Sequence, residues 1–292
     1  MTKITVLGGS GFLGSHLADF LSKKGYSVTI FDLHKSKWRK RGQKMIIGNI
    51  LDEKKLSKAI KNSSYVFNFA ALANMDNLQD KAEETVKYNI LGTVKALKLC
   101  KKFKVKKFIH ASTIYANTEE GGFYGKSKKA AEHYVEEYFN FYKLKYTILR
   151  FGSLYGERAK YDNGIRQILE NIYKKKAVIY RGTKNSVRQY IYIKDAITLC
   201  YNAISKKYDN KYLNITGRKN IKSSKLMNWL SELYSIPTKK IRYLENKGHY
   251  DRKPTLFKPR TGKYIYAKKP TSFEKKIKEY AKTIIKNAIQ IK

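Results

Sequence analysis

Short apolar runs alternate with amphipathic stretches along the first half of the chain. The runs are nearly continuous in apolar character, which is typical of strands buried on both faces of a parallel sheet. Between them, apolar positions recur at helical spacing, which predicts helices. We predict strands at residues 3–7, 27–31, 43–47, 65–69, 107–111 and 146–151.

This alternation predicts an α/β protein with a doubly wound parallel sheet, the Rossmann arrangement. After Gly152 the alternation loosens, and the later segments carry all the prolines of the chain. We therefore expect a sheet domain of residues 1–151 and 181–205. A smaller α/β domain would comprise residues 152–180 and 206–292.

The formal net charge of +39 is the strongest compositional bias of the chain. A basic field of this size attracts polyanions. The lysines are spread over every segment, however, and the other residues with AT-rich codons, Ile, Asn and Tyr, are abundant too. We therefore expect no specific nucleic-acid partner, although the charge favours capture of a small anionic substrate.

Several classes of protein are excluded by length and composition. With 292 residues, of which 42% are hydrophobic, the chain can bury a full core. No apolar run approaches the roughly 18 residues that a membrane-spanning helix needs, and the first residues lack a secretory leader pattern. Cys100 and Cys200 lie in apolar, helix-like settings without metal-ligand spacing. These features predict a cytoplasmic protein with no metal site and no membrane contact.

A cluster of glycines directly follows the first predicted strand. Gly8, Gly11 and Gly14 are spaced as G-x-x-G-x-x-G at the start of the next predicted helix. Gly8 permits a tight turn, Gly11 allows a pyrophosphate to approach the backbone, and Gly14 allows close packing of helix on sheet. The amides of Phe12 and Leu13 would then bind the phosphates. The cluster predicts a dinucleotide site, against the alternative of a plain strand-to-helix turn.

Asp32 ends the second predicted strand, where a carboxylate can accept hydrogen bonds from an adenosine ribose. This position favours NAD over NADP as the cofactor. Asn49 and Ile50 follow the third strand, and we expect them to flank the adenine. NADP stays open because basic side chains able to pair with its 2′-phosphate follow Asp32. They are His34, Lys35, Lys37, Arg39 and Arg41.

A second motif consists of Tyr124 and Lys128, one helical turn apart. A hydride leaves an alcohol carbon only as the hydroxyl proton is removed, and a tyrosine beside a nicotinamide ring is a suitable base. A phenol titrates near pH 10, so activity at neutral pH requires roughly 4 kcal/mol of phenolate stabilisation. The charge of Lys128 supplies part of it. The alternative is a half-exposed surface tyrosine beside a solvated lysine.

In their order and surroundings these motifs resemble those of the extended short-chain dehydrogenase/reductases, whose best-known members act on nucleotide sugars. The resemblance covers nearly the whole chain. Beyond the glycines and Asp32, it rests on residues 68–71, 88–93, 108–113, 124–128, 149–156, 188–196 and 213–216.

The resemblance implies roles for further residues in the first domain. It places Ala70, Ala71 and Asn89 at the cofactor, together with Tyr124 and Lys128. It also implies that a hydroxyl just past the fifth strand holds and polarises the substrate oxygen. Thr113 is the better candidate for that hydroxyl, and Ser112 is the second candidate.

For the second domain, the resemblance implies contacts with the phosphates of a nucleotide-activated sugar. Ser153 stands where the family has an asparagine that touches these phosphates, and Arg188 matches a phosphate-binding arginine. Arg252 is a candidate for a second such arginine. We therefore expect the first domain to bind NAD and the second to bind the substrate.

One departure from the family pattern narrows the reaction. Dehydratases that resemble this chain place an Asp-Glu pair directly after the catalytic threonine, whereas Ile114 and Tyr115 follow Thr113 here. Dehydration therefore lacks its acid and base. We expect NAD-dependent epimerisation at a sugar C4, which by analogy supplies polysaccharide biosynthesis. An NAD(P)H-dependent ketosugar reductase and a non-catalytic, cofactor-sensing regulator are the alternatives.

Two predicted helices, 86–99 and 130–141, carry more apolar surface than one stripe against a sheet requires. In family members that resemble this chain, these helices pair into an intersubunit four-helix bundle. We therefore expect a homodimer.

Overall fold

The structure is a computed structural model that describes residues 1–73, 80–118, 121–244, 263–266 and 271–289. Its strands are β1 (Lys3–Leu7), β2 (Ser27–Asp32), β3 (Lys44–Ile47), β4 (Tyr65–Asn68), β5 (Lys107–Thr113), β6 (Tyr146–Phe151), β7 (Ser153–Tyr155), β8 (Val178–Tyr180), β9 (Val187–Arg188), β10 (Tyr190–Tyr192), β11 (Lys211–Ile215), β12 (Ile221–Lys222), β13 (Ile241–Tyr243) and β14 (Lys263–Ile265).

Its α-helices are α1 (Phe12–Lys23), α2 (Glu53–Ile60), α3 (Ala82–Thr85), α4 (Gly92–Lys102), α5 (Gly122–Tyr142), α6 (Gly164–Lys175), α7 (Ile193–Asn202), α8 (Ser223–Leu233) and α9 (Phe273–Ile289). A π-helical turn, Val86–Leu91, joins α3 to α4, and short 3-10 turns occupy Ile114–Asn117, Lys206–Tyr208 and Thr238–Lys240.

Among the described residues, eight strands form one sheet in the order β14-β11-β6-β5-β4-β1-β2-β3. Every neighbouring pair in it is parallel. From β1 the chain winds outward in both directions, through β2 and β3 on one side and through β4, β5 and β6 on the other. This order confirms the predicted doubly wound sheet. Its topological switch point lies between β1 and β4, where open α/β sheets bind ligands.

The central strands are buried on both faces, as their continuous apolar sequences predict. Ile4 and Val6 of β1 and Phe108 and Ile109 of β5 have no exposed surface. Phe108 belongs to a core cluster that also contains Leu56 of α2 and side chains of α4 and α5. The predicted helices therefore cover the sheet and remove its central strands from water.

The structure differs from the prediction at the end of β5 and in the presence of β11 in the sheet. β5 continues beyond residue 111, because Ser112 and Thr113 pair in register with Arg150 and Phe151 of β6. Residues 211–215, which the sequence placed in the second domain, form β11 and pair with β6. The apolar pattern of β11 is too short to predict from the sequence that this segment pairs with β6.

The chain divides into two compact units. The first contains Met1–Phe151, Ile197–Ile215 and β14, and the second contains Gly152–Ala196 with the described parts of 216–244 and 266–289. The predicted bounds differ in that residues 181–196 belong to the second unit and residues 206–215 to the first. Pairing of β10 with β7 and of β11 with β6 accounts for both differences. The predicted division of labour between the domains stays a prediction.

The second unit contains the strand pairs β7–β10, β8–β13 and β9–β12. Helix α6 begins where the side chain of Asn163 accepts a hydrogen bond from the amide of Arg166 at 3.2 Å, a common N-cap. The start of α9 is attached to α7, because the amide and hydroxyl of Thr271 both donate to Asp195 at 3.0 Å.

Within the described residues, no helix combines the length and apolar character that crossing a membrane requires. In the same residues, no group of three or more His, Cys, Asp or Glu side chains could hold a metal ion.

Candidate active site

The predicted glycine cluster forms the turn between β1 and α1. Gly8 has a φ of +76°, a region that favours glycine, and its amide donates to the carbonyl of Phe31 at 2.8 Å. A Cβ on Gly8 would lie 2.6 Å from the backbone nitrogen of Ala70, and a Cβ on Gly14 would lie 2.2 Å from the carbonyl oxygen of Gly8. The protein's own backbone therefore requires glycine at both positions.

Gly11 differs from these two glycines. Its φ is −74°, and a Cβ there would lie 3.3 Å from the carbonyl oxygen of Gly8, a tight contact but a much smaller conflict than at Gly8 or Gly14. Gly11 is also the N-cap of α1 without a side-chain cap. The amides of Phe12 and Leu13 lie in the first turn, where a helix provides no intrahelical acceptor. This helix start fits a pyrophosphate, because its amides lack intrahelical acceptors and, among the described residues, a Cβ on Gly11 would have only one neighbouring protein atom within 4 Å, the Gly8 carbonyl oxygen.

Asp32 ends β2 beside the glycine turn. Its Oδ2 accepts from the amide of Ser10 at 2.9 Å, and its Oδ1 accepts from the amide of His34 at 3.1 Å. Each carboxylate oxygen keeps a second lone pair. Asp32 therefore shapes the turn and still has capacity for ribose hydroxyls. The basic residues predicted to favour NADP are exposed: His34, Lys35, Lys37, Arg39 and Arg41.

Asn49 and Ile50 follow β3 at the same edge of the sheet. The side-chain oxygen of Asn49 accepts from the amide of Leu51 at 2.9 Å, an Asx turn that leads towards α2. Ile50 packs on Gly92, where a Cβ would lie 2.7 Å from Ile50 Cγ2. Ile50 thus has a packing role of its own, and adenine contacts for the two residues stay a prediction.

Asn89 is fully buried and joins two parts of the site. Its Oδ1 accepts from the amide of Leu72 at 2.8 Å, while its Nδ2 donates to the Leu72 carbonyl at 3.0 Å and to Ser127 Oγ at 2.9 Å. Both amide hydrogens are therefore used within the protein. The loop before Leu72 contains Ala70 and Ala71, so Asn89 attaches the predicted cofactor loop to α5. Its own contact with a cofactor stays a prediction.

Ser112 and Thr113 are the last residues of β5, and both are buried. Thr113 Oγ1 accepts from the amide of Tyr115 at 3.3 Å, which leaves the Thr113 hydroxyl hydrogen to donate. Ser112 Oγ has no hydrogen-bond partner within the described part of the chain. An unpartnered buried hydroxyl indicates a site for a ligand or a water molecule. The structure therefore keeps both hydroxyls as candidates.

Tyr124 and Lys128 lie one turn apart on α5, which packs against β5. Lys128 is 2% exposed, and burial lowers the pKa of its ammonium to about 8, opposed by the Glu132 carboxylate. Burial, with a smaller effect of Tyr115, raises the pKa of the Tyr124 phenol. In the protein alone Tyr124 is therefore protonated at neutral pH, and it becomes a base where positive charge stabilises its phenolate. Lys128 is not the solvated lysine of the alternative.

Two buried polar groups that were not predicted from the sequence lie on the strands beneath α5. His110 of β5 is fully buried, and burial together with the charge of Lys128 holds its imidazole pKa well below the usual range. Arg150 of β6 forms an ion pair with Glu132 at 2.6 Å. Both lie within otherwise apolar strands. A titratable residue inside such a strand is the sequence signal that would have identified them.

The predicted substrate residues are only partly described. Ser153 begins β7, and its amide donates to the carbonyl of Gln189 at 3.3 Å. Arg188 ends β9, directly before Gln189, so the second unit brings Ser153 and Arg188 onto adjacent stretches of chain. Arg252 lies outside the described residues.

Comparison with known proteins gives consistent matches. The sequence model of the NAD-dependent epimerase/dehydratase family matches residues 4–216. A dTDP-D-glucose 4,6-dehydratase of Dictyostelium discoideum is 30% identical over 233 residues, covering 67% of this chain and 54% of that protein. A putative UDP-glucose 4-epimerase of Methanocaldococcus jannaschii is 28% identical over 239 residues, covering 74% of this chain and 77% of that protein. The chain thus spans about half the length of the Dictyostelium relative.

A solved structure supports the same relationship. The UDP-glucose 4-epimerase of Thermotoga maritima, determined with UDP-glucose, superposes with a TM-score of 0.83 at 26% identity. The superposition covers 98% of this chain and 100% of the other.

Substituting Gly11 and Gly14 should separate cofactor binding from folding. We expect Gly14→Ala to destabilise the protein by about 1–3 kcal/mol, because its Cβ would overlap backbone that cannot move aside. Gly11→Ala should lower the melting temperature much less than Gly14→Ala but weaken NAD binding at least about tenfold. Thermal unfolding and calorimetric titration with NAD measure the two effects. Unchanged NAD affinity in Gly11→Ala would contradict the proposed pyrophosphate site.

Lys128→Met should stabilise the protein without cofactor. Burial lowers the pKa of Lys128 from its ordinary 10.5 to about 8, so the unfolded chain binds this proton more tightly. Burial of the charged lysine therefore lowers the free energy of unfolding by about 3 kcal/mol. This reduction is complete below pH 8 and disappears as the pH rises towards 10.5. Urea unfolding of both proteins from pH 6 to pH 10 should show a gain in Lys128→Met that shrinks across this window.

The exposed neighbour Lys129 provides the control for this comparison. Lys129→Met should change the free energy of unfolding by less than about 0.5 kcal/mol, because an exposed side chain contributes little. Equal stability of wild type and Lys128→Met at pH 7 would show that burial of the charged Lys128 does not lower the free energy of unfolding.

Proposed function

The chain belongs to the NAD-dependent epimerase/dehydratase family, and we propose that it is an epimerase that inverts C4 of a nucleotide-activated sugar. The observation that carries the proposal is the arrangement of Tyr124 and Lys128 on α5 against the end of β5, where Ser112 and Thr113 lie. In this proposal Tyr124 is the base, Lys128 is the cation, and Ser112 and Thr113 are the hydroxyl donors, all near the edge of the sheet that carries the glycine turn.

The proposed reaction begins with removal of the sugar hydroxyl proton by Tyr124. Bound NAD supplies the redox chemistry, because it accepts a hydride from the sugar carbon and returns it to the opposite face. The charge of Lys128 stabilises the phenolate of Tyr124, and Thr113 or Ser112 donates a hydrogen bond to the reacting oxygen. Tyr124 then gives its proton back to the same oxygen, so the protein ends the cycle unchanged.

Epimerisation is favoured over dehydration by the segment after β5. From Ile114 to Thr118 the chain has no carboxylate, and Ile114–Asn117 forms a short 3-10 turn capped by the Thr113 side chain. Loss of water from a sugar carbon needs a second acid and base beside the hydroxyl donor. This segment provides neither of them.

The second candidate is an NAD(P)H-dependent ketosugar reductase. It is favoured by the exposed basic residues that follow Asp32, since these can pair with the 2′-phosphate of NADP. A reductase would need a fresh reduced cofactor in every turnover, whereas an epimerase would retain its NAD. For the substrate itself, we assign the phosphates to Ser153 and Arg188 of the second unit.

The test of function is a panel of UDP-, dTDP-, GDP- and CDP-sugars incubated with purified protein. An epimerase should equilibrate a pair of sugar epimers without added cofactor, measured by chromatography and mass spectrometry. Tyr124→Phe should bind NAD but lose turnover by at least about a hundredfold, because a positioned proton-transfer group contributes on that scale. Turnover that depends on added NADPH would support the reductase, and near-normal activity of Tyr124→Phe would exclude Tyr124 as the base.

We also propose that the protein is a homodimer through the surface formed by the π-helical turn and α5. Leu91 is 44% exposed, Tyr134 is 47% exposed and Phe141 is 74% exposed. Of the other apolar residues in the predicted helices 86–99 and 130–141, Leu97, Leu99, Ala131 and Val135 are buried within the first unit. The exposed set is therefore the part of the predicted apolar surface that the sheet does not cover.

Sedimentation at physiological ionic strength should give twice the chain mass of 34.0 kDa at micromolar concentration. Leu91→Lys or Tyr134→Lys should shift the protein to the single-chain mass, because each would bury an unpaired charge at the interface. Tyr161→Lys is the control, since Tyr161 is 66% exposed and lies in the second unit. A single-chain mass for the wild type would rule out the dimer.

A further inference from the structure

A buried ion pair attaches α5 to the sheet one helical turn beyond Lys128. Arg150 Nε donates to Glu132 Oε1 at 2.9 Å, and Arg150 Nη2 donates to Glu132 Oε2 at 2.6 Å. The side chains of Arg150 and Glu132 are 2% and 3% exposed. The guanidinium also lies 4.3 Å from the ring of Tyr212 on β11. The pair is therefore bidentate, fully buried and covered by an aromatic ring.

Stability alone is a weak reason for a pair of this kind. Two charges lose their hydration on burial, and well-packed apolar residues of similar volume are often as stabilising or more so. A bidentate guanidinium–carboxylate contact is valuable mainly because it defines a geometry. This contact defines the position of α5 relative to β6.

The position of Glu132 on α5 connects the pair to the candidate catalytic residues. Tyr124, Lys128 and Glu132 follow one another at four-residue spacing and lie along one face of the helix. Glu132 acts on Lys128 through its charge, which opposes the lowering of the Lys128 pKa by burial.

The other titratable groups around Lys128 do not replace this carboxylate. His110 faces Lys128 from β5, and its lowered pKa keeps it neutral at pH 7. Tyr124 lies on α5 itself, and Arg150 approaches from β6 with a positive charge directed at Glu132. Further along α5, Glu136 interacts with Tyr212 and Tyr146 rather than with Lys128.

We propose that Glu132, held by Arg150, is a positioning residue that keeps the Lys128 ammonium charged one helical turn from Tyr124. The inference rests on the proposed function of Tyr124 and Lys128. Arg150 fixes both oxygens of the Glu132 carboxylate through its two hydrogen bonds. Without this carboxylate, Lys128 loses its proton at a lower pH and the phenolate loses its stabilising cation.

The test measures the titration of Lys128 directly, without substrate or cofactor. Protein labelled with 13C at the lysine Cε is titrated by NMR, and the Lys128 signal is assigned by its absence in Lys128→Met. Glu132→Gln should lower the titration midpoint of Lys128 by at least about half a pH unit. Glu136→Gln is the matched control on the next turn of α5, and it should leave the midpoint unchanged.

A double variant keeps the test decisive if Glu132→Gln does not fold. Glu132→Gln with Arg150→Met removes both buried charges, so neither is left unpaired. In this folded variant the Lys128 midpoint should still be lower than in the wild type. If Lys128 titrates in the double variant at the same pH as in the wild type, the inference is wrong and the ion pair has a purely structural role.

Activity provides the second readout and separates this inference from the proposed function. The alkaline limb of the pH–rate profile should move to lower pH together with the Lys128 midpoint. The ratio of turnover at pH 9 to turnover at pH 7 should be at least about twofold lower in Glu132→Gln than in the wild type. If the midpoint moves and the alkaline limb does not, the effect of Glu132 on Lys128 stands and the catalytic role of Lys128 is wrong.

Discussion

The parallel register of the central strands is the constraint on which the candidate site depends. Because β1, β4 and β5 run in the same direction, their carboxyl ends meet at one edge of the sheet. The glycine turn follows β1, the loop with Ala70 follows β4, and Thr113 ends β5. The buried side chain of Asn89 then joins the loop after β4 to α5. An antiparallel sheet with the same residues would divide these groups between two edges.

A buried lysine lies near each end of β5, and the two lysines differ in how their charge is compensated. At its amino end, Lys107 Nζ donates to the carbonyls of Ala203, Ile204 and Ser205 and pairs with Asp209. These contacts compensate the buried ammonium of Lys107 and hold the residues that follow α7 against the sheet. Near the carboxyl end, Lys128 has no such set of acceptors among the described residues. A buried lysine with few partners is a poor structural element and a useful neighbour for a phenolate.

The matches to this chain include proteins named as dehydratases and as epimerases, and they share one fold. A fold that holds NAD at a sheet edge therefore does not decide which reaction follows. Our proposal of epimerisation rests on a local feature of this chain, the absence of a carboxylate from Ile114 to Thr118.

The sequence by itself determined the order of strands and helices, the glycine turn and the pair of Tyr124 and Lys128. These features are local, because periodicity and short spacing act within one element. Tertiary structure decided the extension of β5, the place of β11 in the sheet and the contact of Arg150 with Glu132. Each of these joins residues that are distant in the chain. The pKa of Lys128 belongs to the second group, since it follows from burial and a neighbouring charge, which no spacing in the sequence reveals.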